Sequence, residues 1–97
     1  PVTSFSFPIQ RSVRLKGDGC IEMLQPEHYS TRSQDLEETF HDAGQFYWGS
    51  HESWLSKDSL FDERSFGYIL PRYRVQDIDT LEDWSRAELM FSALKKT

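Results

Sequence analysis

The stretch Tyr73-Arg74-Val75-Gln76-Asp77-Ile78-Asp79-Thr80-Leu81-Glu82-Asp83-Trp84 is where the chain's pattern changes from extended to helical. Thr80 followed three residues later by Asp83 is close to a capping box, with Asp in place of the usual Glu. From there Leu81, Trp84, Ala87, Phe91 and Leu94 recur at spacings of three and four, which places them on one stripe of an amphipathic helix. Glu82 and Asp83 at the start, with Lys95 and Lys96 at the end, suit the helix macrodipole. The spacing therefore predicts a C-terminal helix that lays its apolar stripe on something.

Immediately upstream, Asp77 and Asp79 stand two residues apart. In extended backbone such residues share a side, so their carboxylates can converge to within roughly 7 Å. Hard oxygens at that spacing suit Mg²⁺, which takes one or two carboxylates and completes its octahedron with water and phosphate oxygens. The same acids also favour a helix N-terminus with no metal involved, and spacing alone leaves both readings open. Residues 66–75 read as extended, interrupted by Pro71, and put Arg72 and Arg74 at strand spacing. That pair can grip a carboxylate or phosphate through bidentate forks, or it can be the solvated face of an edge strand.

Further upstream, Phe5, Phe7, Ile9, Val13 and Leu15 alternate with polar neighbours, so residues 2–15 read as extended, with Pro8 marking an edge or bulge. Lys16-Gly17-Asp18-Gly19 is turn chemistry and 20–24 reads as the return strand of a β-hairpin. Residues 27–45 show no clean period and read as loop, with a short helical turn around 36–40. Residues 45–49 are a short aromatic strand candidate. Residues 50–57 suit a two-turn helix capped by Ser50 with Trp54 and Leu55 inward, and 58–65 reads as loop.

Arg32, Gln34 and Asp35 lie in a loop rich in Ser and Thr, a composition that suits binding of small polar ligands and equally suits a self-satisfied loop. The aromatic residues Phe40, Phe46, Tyr47, Trp48 and Trp54 suit a core or an interface better than a sugar platform. His28, His41 and His51 lack metal spacing with one another or with Cys20, and no nucleophile-elbow pattern surrounds any Ser.

Composition narrows the classes. Ninety-seven residues make one domain's worth of chain, and 37% hydrophobic with 28% charged residues is enough apolar material to build a core. The net charge of −5 makes a poor phosphate-backbone binder, which argues against nucleic acid as a partner. Eight acids against one base, Lys57, between Asp35 and Glu63 read as a solvated face. No run approaches the ~18 apolar residues of a membrane helix. A single cysteine, Cys20, excludes a disulfide framework, and the absence of Asn removes any N-glycosylation acceptor. With no basic, apolar leader at the start, a cytoplasmic protein fits. Val2, Phe5 and Phe7 read as a strand already under way, the expectation for a piece whose N-terminal partner segment precedes Pro1.

Two stretches carry a resemblance. Ser30-Thr31-Arg32-Ser33-Gln34-Asp35-Leu36 followed by His41-Asp42-Ala43-Gly44-Gln45-Phe46-Tyr47-Trp48 resembles a motif of the nonulosonate cytidylyltransferases, the CMP-sialic acid synthetases and their relatives. Residues 73–84 resemble the same family's C-terminal Asp-x-Asp motif and following helix. The wording is nearest the bacterial pseudaminic acid cytidylyltransferases, and the match runs in order across nearly the whole chain. Ala43-Gly44-Gln45-Phe46-Tyr47 stands where sialate-type members carry Asn-Gly-Ala before an aliphatic residue and Tyr, a departure that favours a modified nonulosonate such as pseudaminate.

The resemblance implies an α/β fold, namely the C-terminal part of a Rossmann-like nucleotide-sugar transferase. It implies a dimerisation excursion over 9–40, a metal-binding strand or loop with a closing helix over 66–97, and a homodimer. It implies a reaction in which CTP and an acidic nine-carbon sugar give the CMP-sugar and pyrophosphate. Asp77 and Asp79 match the family's catalytic Mg²⁺ ligands, Arg32 the partner of the sugar carboxylate, and Gln34 a residue that orients sugar hydroxyls. Asp35 would hold the loop, and Phe46 and Tyr47 match the region lining the sugar pocket. The family's triphosphate-cradling loop and cytosine pocket have no counterpart here, so the 97 residues alone are expected to be inactive. The alternative is a non-catalytic remnant that dimerises through the hairpin and aromatic cluster.

Overall fold

A computed structural model describes residues 1–56 and 59–96. Lys57 and Asp58, read from the sequence as a helix end and a loop start, lie outside the described residues. The elements are β1 (Val2–Ser4), β2 (Val13–Leu15), β3 (Ile21–Met23), β4 (Phe40–Asp42), α1 (His51–Leu55) and α2 (Leu81–Lys95), with 3₁₀ turns at Ile9–Arg11, Pro26–His28, Ser33–Asp35 and Arg72–Arg74. This is a mixed helix–strand chain in which β1 pairs with β4 and β2 with β3. It divides into two compact units, one of Ser4–His41 and one of Pro1–Thr3 with Asp42–Thr97. No described helix is long and apolar enough to cross a membrane.

In the unit of Ser4–His41, the predicted hairpin forms with antiparallel register Val13–Met23, Arg14–Glu22 and Leu15–Ile21. Its turn is closed by the Lys16 N–H donating to Cys20 O at 2.8 Å and by Asp18 Oδ1 accepting the Cys20 N–H at 2.9 Å. Of the two turn glycines only Gly19 takes positive φ, at 88°, a region where a Cβ is strained. The exposed Arg14–Glu22 ion pair, at 3.9 Å, adds little to this ladder. The expected extended run over 2–15 is broken. Pro8 (φ −60°) leads into the Ile9–Arg11 turn, so that Gln10 points inward and is buried. The helical turn expected around 36–40 is also absent: the turn falls at Ser33–Asp35, and 40–42 is strand.

In the other unit, the strand at Val2 is the organising element. Its N–H donates to Tyr68 O and its carbonyl accepts the Leu70 N–H, both at 2.8 Å, forming a parallel bridge between Val2 and Ile69. Thr3, only 2% exposed, sends its hydroxyl to Leu70 O at 2.7 Å. Ala43, also buried, donates its N–H to Pro1 O at 3.0 Å. The extended reading of 66–75 thus holds as far as Pro71. Beyond it Arg72–Arg74 form a 3₁₀ turn, so the two arginines are not on a strand. Residues 45–49 are irregular rather than strand, and α1 forms with Ser50 as its N-cap, but Trp54 and Leu55 are exposed rather than inward.

The closing helix matches its prediction in extent and cap. Thr80 Oγ1 accepts the Asp83 N–H and Asp83 Oδ2 accepts the Thr80 N–H, each at 3.1 Å, completing the capping box. Its inner face is rotated from the expected stripe. Asp83, Ala87, Met90 and Leu94 are half-buried, whereas Leu81 (87% exposed), Trp84 and Phe91 (60%) face outward. Replacing Thr80 by Ala removes one arm of the box and is expected to cost about 1 kcal/mol, read as a shift in the urea midpoint. Asp83 is held below the ordinary carboxylate range, first by the Asp79 N–H and then by Thr80 and Arg86. A lowered native value means that its contribution is complete above the unfolded carboxylate value and is lost as pH falls through the native one. Circular dichroism should show helix loss below about pH 4 in the parent and a flatter acid limb in Asp83→Asn.

Candidate functional site

Arg32 and Gln34 belong to the Ser4–His41 unit. Arg32 is the N-cap of the Ser33–Asp35 turn, with the Asp35 N–H donating to its carbonyl at 2.9 Å, which turns its side chain and that of Gln34 out to solvent. Among the described residues neither side chain has a hydrogen-bond or ionic partner. The preceding loop is pinned from behind: the Arg11 guanidinium donates to Thr31 O, and His28 Nδ1 lies 3.3 Å from Thr31 Oγ1. An unengaged guanidinium on a turn whose preceding residue is tied down is suited to a planar anion such as a carboxylate.

The remaining site residues lie in the other unit. Asp77 and Asp79 occupy the irregular segment between the Arg72–Arg74 turn and α2, both exposed, and neither carboxylate has a partner among the described residues. The Asp79 N–H donates to Asp83 Oδ2 at 3.0 Å, so the helix cap also fixes the backbone of the second acid. No group of three or more His, Cys, Asp or Glu is placed to hold a metal among the described residues.

Phe46 and Tyr47 sit on a loop fastened at several points. Gln45 Nε2 donates to Arg74 O at 2.9 Å, bringing this loop beside the segment that leads into Asp77. The Phe46 ring lies 6.4 Å from that of Tyr68, tilted by 57°. The Tyr47 hydroxyl donates to Asp42 Oδ2. That bond, followed by burial and the Asp42 charge, pushes the phenol above its ordinary value. Tyr47 borders an open surface depression of about 620 Å³ whose lining mixes Trp48, Trp54, Leu60 and Phe66 with Ser53, Asp62 and Arg64.

Sequence reading did not single out Asp42, Gln45 or Arg74 for these contacts. Asp42-Ala43-Gly44 did carry a signal, because an Asp two residues before a glycine is an Asx-turn pattern. Gly44 indeed has φ +68° and donates its N–H to Asp42 Oδ1 at 2.9 Å.

Comparison with known sequences adds to this geometry. No protein-family model matches the chain. Pseudaminic acid cytidylyltransferases of Campylobacter jejuni subsp. jejuni, serotypes O:2 and O:23/36, are each 42% identical to it over 89 residues, or 92% of the chain. By sequence the chain is a relative of the pseudaminic acid cytidylyltransferases. It spans 38% of the length of those two relatives. A Helicobacter pylori pseudaminic acid cytidylyltransferase and UDP-2,4-diacetamido-2,4,6-trideoxy-beta-L-altropyranose hydrolase is 35% identical over 76% of the chain, which spans 14% of that relative.

Proposed function

We propose that this chain is the C-terminal part of a cytidylyltransferase that joins CMP from CTP to an acidic nine-carbon sugar of the pseudaminic type, releasing pyrophosphate. The observation that carries this reading is the 42% identity over 92% of the chain to two pseudaminic acid cytidylyltransferases. In this reading Arg32 receives the sugar carboxylate through charge-assisted hydrogen bonds, Gln34 orients sugar hydroxyls, and Phe46 and Tyr47 line the sugar pocket.

Asp77 and Asp79 fit Mg²⁺ by donor chemistry: two exposed hard-oxygen groups with no competing partner among the described residues, leaving room for water and phosphate oxygens. When bound, the ion supplies neutralisation of triphosphate charge and acidification of the sugar's anomeric hydroxyl. The chain's own contribution is to present the two carboxylates just before α2, with the Asp79 backbone N–H tied to the Asp83 cap.

In this reading the chain contributes late strands and the closing helix to a Rossmann-like fold whose CTP-binding half lies outside these 97 residues. Apolar side chains left exposed here are natural surfaces for that half and for a second copy: Leu15 and Ile21 on the hairpin, Trp48 (95% exposed) and Phe66 (100%) in the other unit. The protein acts in the cytoplasm, where CTP is available, and the 97 residues alone are inactive.

The test is pyrophosphate release from CTP, Mg²⁺ and pseudaminic acid. The expected result is turnover by the full-length enzyme and none by the 97-residue chain. Preference for N-acetylneuraminate would overturn the sugar, and turnover by the short chain would overturn its inactivity. The same exposed faces favour a second reading, a dimerising non-catalytic remnant. That reading requires a dimer in sedimentation and no Mg²⁺ binding at Asp77 and Asp79.

A further inference from the structure

Asp42 ends β4, and its two carboxylate oxygens engage two different donors. Oδ1 accepts the Gly44 N–H at 2.9 Å, while Oδ2 accepts the Tyr47 hydroxyl five residues away. The segment 42–47 is therefore closed around one carboxylate. It is held from outside by the Ala43 N–H on Pro1 O at 3.0 Å and by Gln45 on Arg74 O at 2.9 Å. Tyr47 is thereby held through its hydroxyl on Asp42, and the same residue borders the cavity that Trp48, Trp54, Leu60 and Phe66 share with Ser53, Asp62 and Arg64.

A phenol carries one proton and two lone pairs, whereas an ionised carboxylate can only accept. The direction of the Tyr47–Asp42 bond is thus decided by chemistry, and the oxygen of Tyr47 has only acceptor capacity left for a third group. We propose that Asp42 is a positioning residue: by committing the phenolic proton it makes Tyr47 Oη an obligate acceptor at the cavity of Trp48, Trp54, Leu60 and Phe66, selecting ligands that present a hydroxyl or amide N–H there. The assignment of that ligand to the acidic sugar rests on the function proposed above, but the Asp42–Tyr47 pairing does not. The same bond, with burial and the Asp42 charge behind it, pushes the phenol above its ordinary value. Asp62 and Arg64 also line the cavity, and substitutions at Asp42 and Tyr47 leave both of them in place.

The decisive comparison uses Asp42→Asn, Tyr47→Phe and the double variant in the full-length enzyme. An Asn that keeps the Gly44 N–H on its carbonyl oxygen turns its NH₂ toward Tyr47, which forces the phenol to accept and reverses its polarity toward the ligand. Each single variant should raise KM for pseudaminic acid about tenfold, the worth of one hydrogen bond, with KM for CTP unchanged. The double variant should be no worse than Tyr47→Phe, because a residue that acts only through Tyr47 is silent once the hydroxyl is gone. Titration of ¹³Cζ-labelled tyrosine without ligand should show the Tyr47 midpoint falling in Asp42→Asn.

Full addition of the Asp42→Asn effect on top of Tyr47→Phe overturns the positioning role. A lowered phenol midpoint with unchanged sugar KM overturns the ligand contact. An unmoved midpoint overturns the pairing itself, independently of function. Absence of any acidic-sugar turnover by the unmutated enzyme overturns the substrate reading together with the ligand contact, and leaves the titration to decide the pairing.

Discussion

Asp77→Asn and Asp79→Asn should each lower kcat for CMP transfer by about two to three orders of magnitude, the scale seen when one electrostatic stabiliser of a transition state is removed. The substitution is nearly isosteric, so shape is retained and one negative charge is lost from a pair that has no other partner among the described residues. The dependence of rate on Mg²⁺ concentration should shift upward in both variants, and chelation should abolish turnover of the parent. The competing role, acids that merely favour the start of α2, makes a different forecast. There the loss would be about 0.3–1 kcal/mol of helix stability with kcat unchanged. Equal rates for variant and parent at every Mg²⁺ concentration would sink the metal assignment.

Arg32→Ala should raise KM for the acidic sugar by about ten- to a hundredfold, since hydrogen bonds to a charged group contribute about 1.5–3 kcal/mol, and should leave KM for CTP unaltered. Arg32→Lys should recover only part of the loss, because an ammonium cannot reproduce the planar fork. The carboxamide analogue of the sugar supplies the control: the parent enzyme should discriminate against it and Arg32→Ala should not. If Arg32→Ala keeps full preference for the acid over the amide, the carboxylate is read elsewhere. Because the Thr31 end of the loop is pinned by Arg11 and His28, the turn itself should survive the substitution.

The elements that were legible from sequence are those whose determinants lie within a few residues of one another. Thr80 and Asp83 specify the cap of α2 by bonds three residues apart, and Ser50 caps α1 in the same way. Lys16-Gly17-Asp18-Gly19 makes its own turn through the Asp18 side chain and the positive φ of Gly19. Prolines were harder to read. Pro8 and Pro71 each end an apparent strand by opening a 3₁₀ turn, because fixed φ and the missing N–H end a ladder without revealing which turn follows. The aromatic run 45–49 has the composition of a strand but forms none, because β propensity expresses packing against a partner and 45–49 is in no ladder among the described residues.

Of the candidate site, the residue types and their order came from sequence: the acid pair before a capped helix, and Arg32 and Gln34 in a polar loop. What surrounds Tyr47 did not. Its hydroxyl partner Asp42, the Gln45–Arg74 anchor 29 residues apart in sequence and the Phe46–Tyr68 ring pair became visible only once distant segments were placed side by side.

Sequence by itself thus determined the closing helix, the hairpin turn, the kinship with the cytidylyltransferases and the position of the two carboxylates. Only the tertiary structure decided that Val2 lies between Tyr68 and Leu70, that Thr3 is buried against a carbonyl 67 residues away, and that the inner face of α2 runs through Met90 rather than Trp84. The physical reason is that caps and turns are satisfied by neighbours in the chain. Strand pairing and helix facing instead depend on backbone groups and apolar surface brought from far along it, which leave no local pattern to read.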